Sequence, residues 1–327
     1  MSDTDGAAVV PAIRLEHVTK RYPGSDAPAV DALDLDVPSG ELVAMVGPSG
    51  CGKTTILKMV NRLIEPSEGR ILIDGVDAAT LPDHELRRGI GYVIQQVGLF
   101  PHRTIGDNIA TVPKLLGWDK ARTRARVDEL CELVGLDRSV LRRYPAALSG
   151  GQQQRVGVAR ALAADPPVLL MDEPYSAVDP IVRARLQDDL LDLQRRLHKT
   201  ILLVTHDIDE AIKLADRVAL LNVGGVLEQY APPDELLRAP ASAFVERFLG
   251  RDRALKRLSR LTVADLGDDL LEPASLDGHG APLASEVTLR DALDALLGSE
   301  SGHLRVLDGD GRVRGTVTVD VIGERLR

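Results

Sequence analysis

The sequence contains only two cysteines, Cys51 and Cys131, among its 327 residues. Two thiols cannot build the disulfide framework of a small secreted domain, which favours a reducing compartment such as the cytosol. Apolar runs are short as well, and none approaches the roughly 18 residues that a membrane-spanning helix needs. The first residues are acidic, whereas a secretory signal begins with basic residues. We therefore expect a soluble chain, which can still dock on a membrane protein.

An excess of positive charge is also absent, because the formal net charge is -9. This balance gives no support to a nucleic-acid-binding surface over the whole molecule. Apolar residues at 44% and charged residues at 27% are ordinary for a globular protein. The length suits one large domain and a smaller one, each with its own core.

Short buried strands alternate with helical segments in the first 250 residues. Leu42–Val46, Val168–Met171 and Ile201–Val204 are continuous apolar runs, which is typical of strands buried on both faces. Residues 13–37 predict strands of an edge sheet. Leucines at helical spacing between Val182 and Leu197 predict an amphipathic helix. This order favours an α/β fold with a mostly parallel sheet.

The character of the sequence changes near residue 250. A basic stretch at 251–261 precedes Thr288-Leu289-Arg290-Asp291, which predicts a capped helix with leucines on one face. Strands are predicted at 304–307 and 313–319. We therefore expect a second, small α/β unit at 262–327, joined by the basic connector, although that connector is equally compatible with a solvated helix.

Gly47-x-x-x-x-Gly52-Lys53-Thr54 fits the phosphate-binding P-loop pattern, with a strand before it and a helix after it. Glycines let successive backbone N–H groups point at phosphate oxygens, and the helix N-terminus favours the anion. Lys53 is expected at the β- and γ-phosphates, and the Thr54 hydroxyl at Mg²⁺. An incidental glycine-rich turn is the alternative, which the flanking elements disfavour. Cys51 occupies a loop position that we interpret as unconstrained filler. The full set of expected ATP-binding residues here is Gly47, Ser49, Gly50, Cys51, Gly52, Lys53, Thr54 and Thr55.

Two carboxylates, Asp172 and Glu173, end the buried run at 168–171. Open α/β sheets bind ligands at the carboxyl ends of their strands. We expect Asp172 in the Mg²⁺ shell and Glu173 as the general base for the attacking water. A capping or turn role is the alternative, since Pro174 follows. His206 also follows a buried strand, and we expect it to contact the γ-phosphate rather than to play a structural role.

Leu148-Ser149-Gly150-Gly151-Gln152 predicts a second anion site at a helix N-terminus. A single P-loop already serves one triphosphate. The second site makes sense if it closes over the ATP of another copy of the chain.

With these motifs together, residues 13–250 resemble the ATP-binding-cassette (ABC) ATPases. The resemblance assigns Gly47–Thr54 to Walker A, Leu148–Gln152 to the signature, Val168–Glu173 to Walker B, residues 176–179 to the D-loop with Asp179 at the nucleotide, and His206 to the switch histidine. It implies that Tyr22 stacks on adenine, although it could be any strand tyrosine. It also implies that Gln95 is the Q-loop residue touching Mg²⁺ and the water, with Gln96 as a neighbouring candidate. The family fold adds a helical subdomain, and two subunits sandwich two ATP molecules.

The stretch from Gln95 to Trp118 is similar to the importer branch for glycine betaine, carnitine and choline, although Leu-Phe-Pro-His also occurs in other importer ATPases. Residues 262–327 look like a single CBS domain, where this branch often carries two. Pairing between two subunits and a vestigial dimerisation surface are the alternatives for a single unit, and the resemblance suggests sensing of ionic strength or an adenine nucleotide. We expect a peripheral protein on the cytoplasmic face of the membrane, bound to a permease and served by an extracytoplasmic binding protein. A soluble, non-transport ABC ATPase and a CBS sensor with a regulatory ATPase are the alternatives.

Overall fold

The computed structural model describes residues 10–95, 97–176, 178–271 and 281–326. The chain divides into two compact units, the first ending at Pro233 and the second beginning at Asp234. The boundaries that the sequence predicts, at residues 250 and 261, lie inside this second unit. Among the described helices, none is both long enough and apolar enough to cross a bilayer.

A mostly parallel sheet forms the centre of the first unit. Its described strands are β3 (Leu42–Val46), β6 (Ile90–Val93), β7 (Val168–Asp172), β8 (Thr200–Val204), β9 (Arg217–Asn222) and β10 (Val226–Ala231). They lie in the order β10-β9-β3-β8-β7-β6, and only the β10–β9 pair is antiparallel. Every residue of β3, β7 and β8 is buried, as their continuous apolar sequences predicted.

Strands from the N-terminal part of the chain form a second, antiparallel sheet. It contains β1 (Ile13–Lys20), β2 (Val30–Val37), β4 (Glu68–Ile73) and β5 (Val76–Asp77) in the order β2-β1-β4-β5. The inward side chains of β1 and β2 share one hydrophobic core with those of β3 and β8. The predicted edge sheet is therefore confirmed, and its packing steadies the strand that leads into the P-loop.

Helices surround the parallel sheet and also form a separate helical region between β6 and β7. The helices of the first unit are α1 (Lys53–Val60), α2 (Asp83–Arg88), α3 (Ile105–Ile109), α4 (Thr111–Leu115), α5 (Lys120–Leu133), α6 (Gly150–Ala161), α7 (Pro180–Leu197) and α8 (Ile208–Leu214). The entry to the helical region is held by the buried side chain of Asn108, which binds both the backbone N–H and the carbonyl of Phe100.

The second unit has its own sheet and core. Its elements are α9 (Pro233–Arg238), which begins at the boundary, α10 (Ala243–Leu249), α11 (Arg253–Arg260), β11 (Ala281–Ala284), α12 (Leu289–Leu297), β12 (His303–Leu307), β13 (Val313–Thr318) and α13 (Val319–Leu326). β12 lies between β11, to which it is parallel, and β13, to which it is antiparallel. The helix and both strands that the sequence predicted after residue 288 are present.

Most of the basic stretch at 251–261 forms α11, and it belongs to the second unit. Leu258 on this helix joins the core of the unit. Arg257 donates to the Asp234 carboxylate at 2.7 Å and to the carbonyl oxygen of Leu326 at 2.7 Å. Because apolar and charged side chains of this helix both have partners inside the unit, the basic stretch is a packed helix there.

Candidate functional site

The P-loop links β3 to α1 through a backbone path that only glycine permits at two points. Gly47 has a φ of +156°, and a Cβ there would lie 2.2 Å from the carbonyl oxygen of Leu221. Gly52, the residue before α1, has a φ of +99°, and its Cβ would lie 2.5 Å from the carbonyl oxygen of Ala29. The close approach of neighbouring backbone therefore requires glycine at both positions, whether or not a ligand is bound.

Cys51 in the loop and Lys53, the first residue of α1, are both buried. The Lys53 ammonium donates to the carbonyl oxygens of Gly47 at 2.7 Å and Pro48 at 3.1 Å, which places its charge beside the loop backbone. Cys51 is fully buried in the core, with its sulfur 3.6 Å from that ammonium. The interpretation of Cys51 as unconstrained filler is therefore wrong, because tight packing restricts the residue at this position.

The hydroxyl of Thr54 donates to Oδ1 of Asp172 at 3.0 Å. This contact joins the first turn of α1 to the end of β7, two elements separated by more than a hundred residues. Burial raises the pKa of Asp172, and the hydrogen bond from Thr54 opposes that effect. A cation at this point would favour the ionised carboxylate.

Glu173 follows β7, and its side chain contacts those of Gln95 and His206. Its Oε2 accepts a hydrogen bond from Nε2 of Gln95 at 3.2 Å and lies 3.2 Å from Nδ1 of His206. Its backbone adopts a φ of +44°, and its N–H donates to the carbonyl oxygen of Val204 at 2.9 Å. The ends of β6, β7 and β8 thus bring together the three residues expected to carry catalysis.

The segment at 149–152 forms an N-terminal cap on α6. Ser149 accepts a hydrogen bond from the N–H of Gln152, whose side chain accepts one from the N–H of Ser149. Ser149 and Gly150 are exposed. Gly151 packs on α7, since its Cβ would approach Val182 to 2.7 Å. Within the described residues no hydrogen bond or ion pair joins this segment to the P-loop of the same chain.

The remaining predicted site residues are dispersed around this centre. Tyr22 is 42% exposed after β1, with the Lys20 ammonium 5.4 Å from its ring centroid. Asp179 caps α7 by accepting from the N–H of Val182 at 3.0 Å. Ser49 is exposed and Thr55 is half-buried in α1. Gln96 and Ala177 lie outside the described residues.

Arg160 is a residue of the site region that no motif identifies. Its guanidinium donates to the carbonyl oxygens of Gly98 at 2.6 Å and Val97 at 2.8 Å, and burial lowers its pKa. It therefore ties α6, the helix that begins at Ser149, to the backbone just beyond Gln95. In the sequence, Arg160 follows the apolar residues Val156 and Ala159, but this local pattern does not specify which groups the arginine contacts.

Comparisons with known proteins show the family to which the chain belongs. Residues 30–176 match the family model of the ABC transporter. The chain is 52% identical to the osmoprotectant import ATP-binding protein OsmV of Salmonella typhimurium, over 93% of this chain and 78% of that protein. It is 48% identical to the glycine betaine/carnitine/choline transport ATP-binding protein OpuCA of Bacillus subtilis, over 95% of this chain and 80% of that protein.

A solved structure supports the same fold. It is the dimeric, post-hydrolysis state of an ATP-binding cassette bound to ADP and Pi, and the match has a TM-score of 0.61 at 35% identity. The alignment covers 68% of this chain and 98% of that one. From its motifs, fold and relatives together, the chain belongs to the family of ABC transporter ATPases.

Proposed function

We propose that this chain hydrolyses ATP to drive the import of quaternary-ammonium osmoprotectants, such as glycine betaine, carnitine and choline, through a membrane permease. The contact of Glu173 with Gln95 and His206, beside the Thr54–Asp172 pair, is the observation that carries the ATPase assignment. The cargo assignment comes from the relatives, whose names describe osmoprotectant and glycine betaine transport. Another small solute is the alternative cargo.

The triphosphate of ATP lies over the P-loop in this proposal. Backbone N–H groups of residues 49–55 and the N-terminus of α1 face the phosphates, because a helix N-terminus favours anions. Lys53 exchanges its loop carbonyls for phosphate oxygens, a stronger charge-assisted contact. Tyr22, whose ring is exposed, stacks on the adenine.

The residues around β7 fit Mg²⁺ as a cofactor. Thr54, Asp172 and Gln95 would hold it, and all three offer the oxygen ligands that this hard cation prefers. When bound, Mg²⁺ neutralises charge that develops on the phosphates. The buried Asp172 carboxylate then has a partner for its negative charge.

Glu173 serves as the general base in the proposed reaction. Its Oε2 lies between an amide donor and an imidazole, so both neighbours restrict the direction in which it accepts a proton from water. Gln95 orients the water, and His206 contacts the γ-phosphate. Such positioned general bases contribute roughly 10²- to 10⁴-fold to rates.

The complete site forms between two copies of the chain. Ser149–Gln152 lies on an exposed helix start with no contact to its own P-loop among the described residues, which supports a role at the ATP of the partner subunit. Asp179, at the start of α7, approaches that ATP from the same side. Closure on ATP and opening after hydrolysis is then a two-state change biased by the ligand.

A groove beside the Q-loop is the proposed contact with the permease, which would place the chain on the cytoplasmic face of the membrane. The groove has a volume of about 270 Å³. It is lined by side chains that include Arg87, Arg88, Tyr92, Phe100, Val112 and Arg160. Since Arg160 also holds the backbone after Gln95, docking here would act on the catalytic centre. The extracytoplasmic binding protein would act only through the permease.

The second unit is proposed to be a single CBS-like domain. The order β11, α12, β12, β13, α13 supports that proposal. Pairing with the unit of a second subunit, or binding of a regulatory nucleotide, would give it a role in control of transport.

Replacing the proposed base tests the ATPase mechanism. Glu173→Gln should still bind ATP but lose hydrolysis by roughly 10²-fold or more, because the amide cannot accept a proton. The measurement is phosphate release together with ATP binding and sedimentation, in which the variant should accumulate as an ATP-bound dimer. Glu68→Gln, on the exposed edge of β4, is the control. Hydrolysis by Glu173→Gln at the wild-type rate would refute the assignment.

Obstructing the exposed helix start tests the shared site. Ser149→Arg should bind ATP normally yet fail to dimerise with ATP and lose most hydrolysis, since a bulky cation would occupy the closing face. Ser139→Arg, also exposed in the helical region, should behave as wild type. Unchanged hydrolysis by Ser149→Arg would contradict a site made by two copies.

Reconstitution tests the cargo. The chain is assembled with its cognate permease in liposomes and exposed to binding protein loaded with glycine betaine, carnitine, choline or an unrelated solute such as sulfate. ATP hydrolysis should rise severalfold only with the quaternary amines. Stimulation by sulfate and by none of the amines would refute the osmoprotectant assignment while leaving the ATPase mechanism intact.

A further inference from the structure

A polar cluster includes the two residues that flank His206 in the sequence. It consists of Arg183 on α7, Thr205 and Asp207 in the switch loop (residues 205–207), and Glu210 on α8; we name these four residues the switch-loop bracket. Thr205 and Glu210 are 1% and 6% exposed. None of the motif roles described above uses these side chains.

Arg183 connects the D-loop (residues 176–179) with the switch loop. Its Nη2 donates to the carbonyl oxygen of Val178 at 3.1 Å, and its Nη1 lies 3.7 Å from Oδ2 of Asp207. Val178 belongs to the D-loop, and Asp207 directly follows the switch histidine. One guanidinium therefore contacts both the D-loop, which precedes α7, and the switch loop, which follows β8.

Thr205 and Glu210 fix the other side of the switch loop. The Thr205 hydroxyl donates to Oε2 of Glu210 at 2.6 Å and accepts from the N–H of Asp207 at 3.0 Å. Oδ1 of Asp207 accepts from the N–H of Glu210 at 3.3 Å. The N–H of Thr205 donates to the carbonyl oxygen of Met45, in the strand before the P-loop. The backbone on both sides of His206 is thereby held.

The bracket also contains unused hydrogen-bonding capacity. Within the described part of the chain, Nε of Arg183 and Oε1 of Glu210 are buried without a hydrogen-bond partner. Such atoms are rare in folded proteins and are costly where they serve only stability. A guanidinium with a spare donor and a carboxylate with a spare acceptor can accommodate a shift of the D-loop without losing all their contacts.

We propose that Arg183 and Glu210 are positioning residues that hold His206 in register with the D-loop. The proposal rests on the proposed function, in which the D-loop of one subunit faces the ATP of the other. A movement of Val178 then reaches His206 through Arg183 and Asp207. The bracket makes the geometry of one ATP site sensitive to the neighbouring site.

The charge of Glu210 depends on pH near neutrality. Burial is the main cause that raises its pKa from 4.5 to about 7; Asp207 adds to this, whereas the Thr205 hydroxyl, Arg183 and His206 oppose it. Tyr175 faces the same cluster, and burial together with Glu210 raises its pKa. Between pH 4.5 and 7 the folded chain keeps a proton that the unfolded chain loses. Glu210 therefore costs the folded state increasing stability as pH rises through this window.

Thermal unfolding of Glu210→Gln tests that charge state. The difference between the Tm of the variant and the Tm of wild type should increase in favour of the variant by several degrees from pH 5 to pH 7.5. Only wild type must bury an ionised carboxylate as the pH rises. Above pH 8 the difference should stay constant. Glu68→Gln, which is exposed, should show no such trend. A difference between Glu210→Gln and wild type that does not change with pH would contradict burial of the ionising group.

Kinetics of substitutions at Arg183 and Asp207 test the positioning role. Arg183→Met in the assembled transporter should lower kcat by roughly ten- to a hundredfold, since small misplacements of catalytic groups have effects of this size. Its KM for ATP should change less than twofold. Arg183→Lys should recover part of the rate, because an ammonium can reach only one of the two oxygens. Arg185→Met, exposed on the same helix, should keep the wild-type kcat.

A double-mutant cycle completes the test. Asp207→Asn keeps the acceptor that caps α8 but removes the charge that faces Arg183. The variant that carries both Asp207→Asn and Arg183→Met should lower kcat by less than the product of the two single effects, as expected for residues in one network. An Arg183→Met kcat equal to that of Arg185→Met, or fully multiplicative effects, would overturn the bracket. A wild-type transporter that shows no ATP hydrolysis would instead refute the proposed function, and the bracket with it. If Arg183→Met does not fold, Arg183→Lys and Asp207→Asn provide the same comparison.

Discussion

The backbone at the end of β7 is the constraint on which the geometry of the proposed catalytic site depends. Glu173 is held in a left-handed backbone conformation, which is unfavourable for a residue with a side chain and persists only where its surroundings impose it. One contact that restrains it is the hydrogen bond from its N–H to the carbonyl oxygen of Val204 on the neighbouring strand. Because β7 pairs in register with β6 and β8, Gln95 and His206 arrive at the same edge of the sheet. A shift of the β6–β7 pairing would move Gln95 away from Glu173, and a shift of the β7–β8 pairing would move His206 away from it.

The helical region between β6 and β7 is tied to this edge by polar contacts as well as by the packing of α6 on β6. Arg160 binds two carbonyl oxygens just beyond Gln95, and Asn108 holds the backbone at Phe100. Both side chains are polar groups that bind backbone, so they hold the loop at particular points. In the proposed mechanism, a force on the permease groove reaches Gln95 by this route.

The chain carries two helix starts that are proposed to bind anions, and no hydrogen bond or ion pair joins them within the described residues. The P-loop opens α1, and the capping box of Ser149 and Gln152 opens α6. Exposure of Ser149 is consistent with a surface that closes on another copy. The proposed switch-loop bracket has a role in that arrangement, because it links the D-loop to His206, which lies beside Glu173.

Sequence alone determined the elements whose signal is local. Continuous apolar runs predicted β3, β7 and β8, since strands buried on both faces need apolar residues throughout, and glycine spacing predicted the P-loop. The pairing of Glu173 with Gln95 and His206, the burial of Cys51, and the partners of Arg160 and Arg183 were decided only by the tertiary structure. Each of these contacts joins distant segments, and its length depends on strand register and helix packing. No local pattern encodes that register. The sequence therefore identifies the candidate site residues, and the fold sets the distances between them.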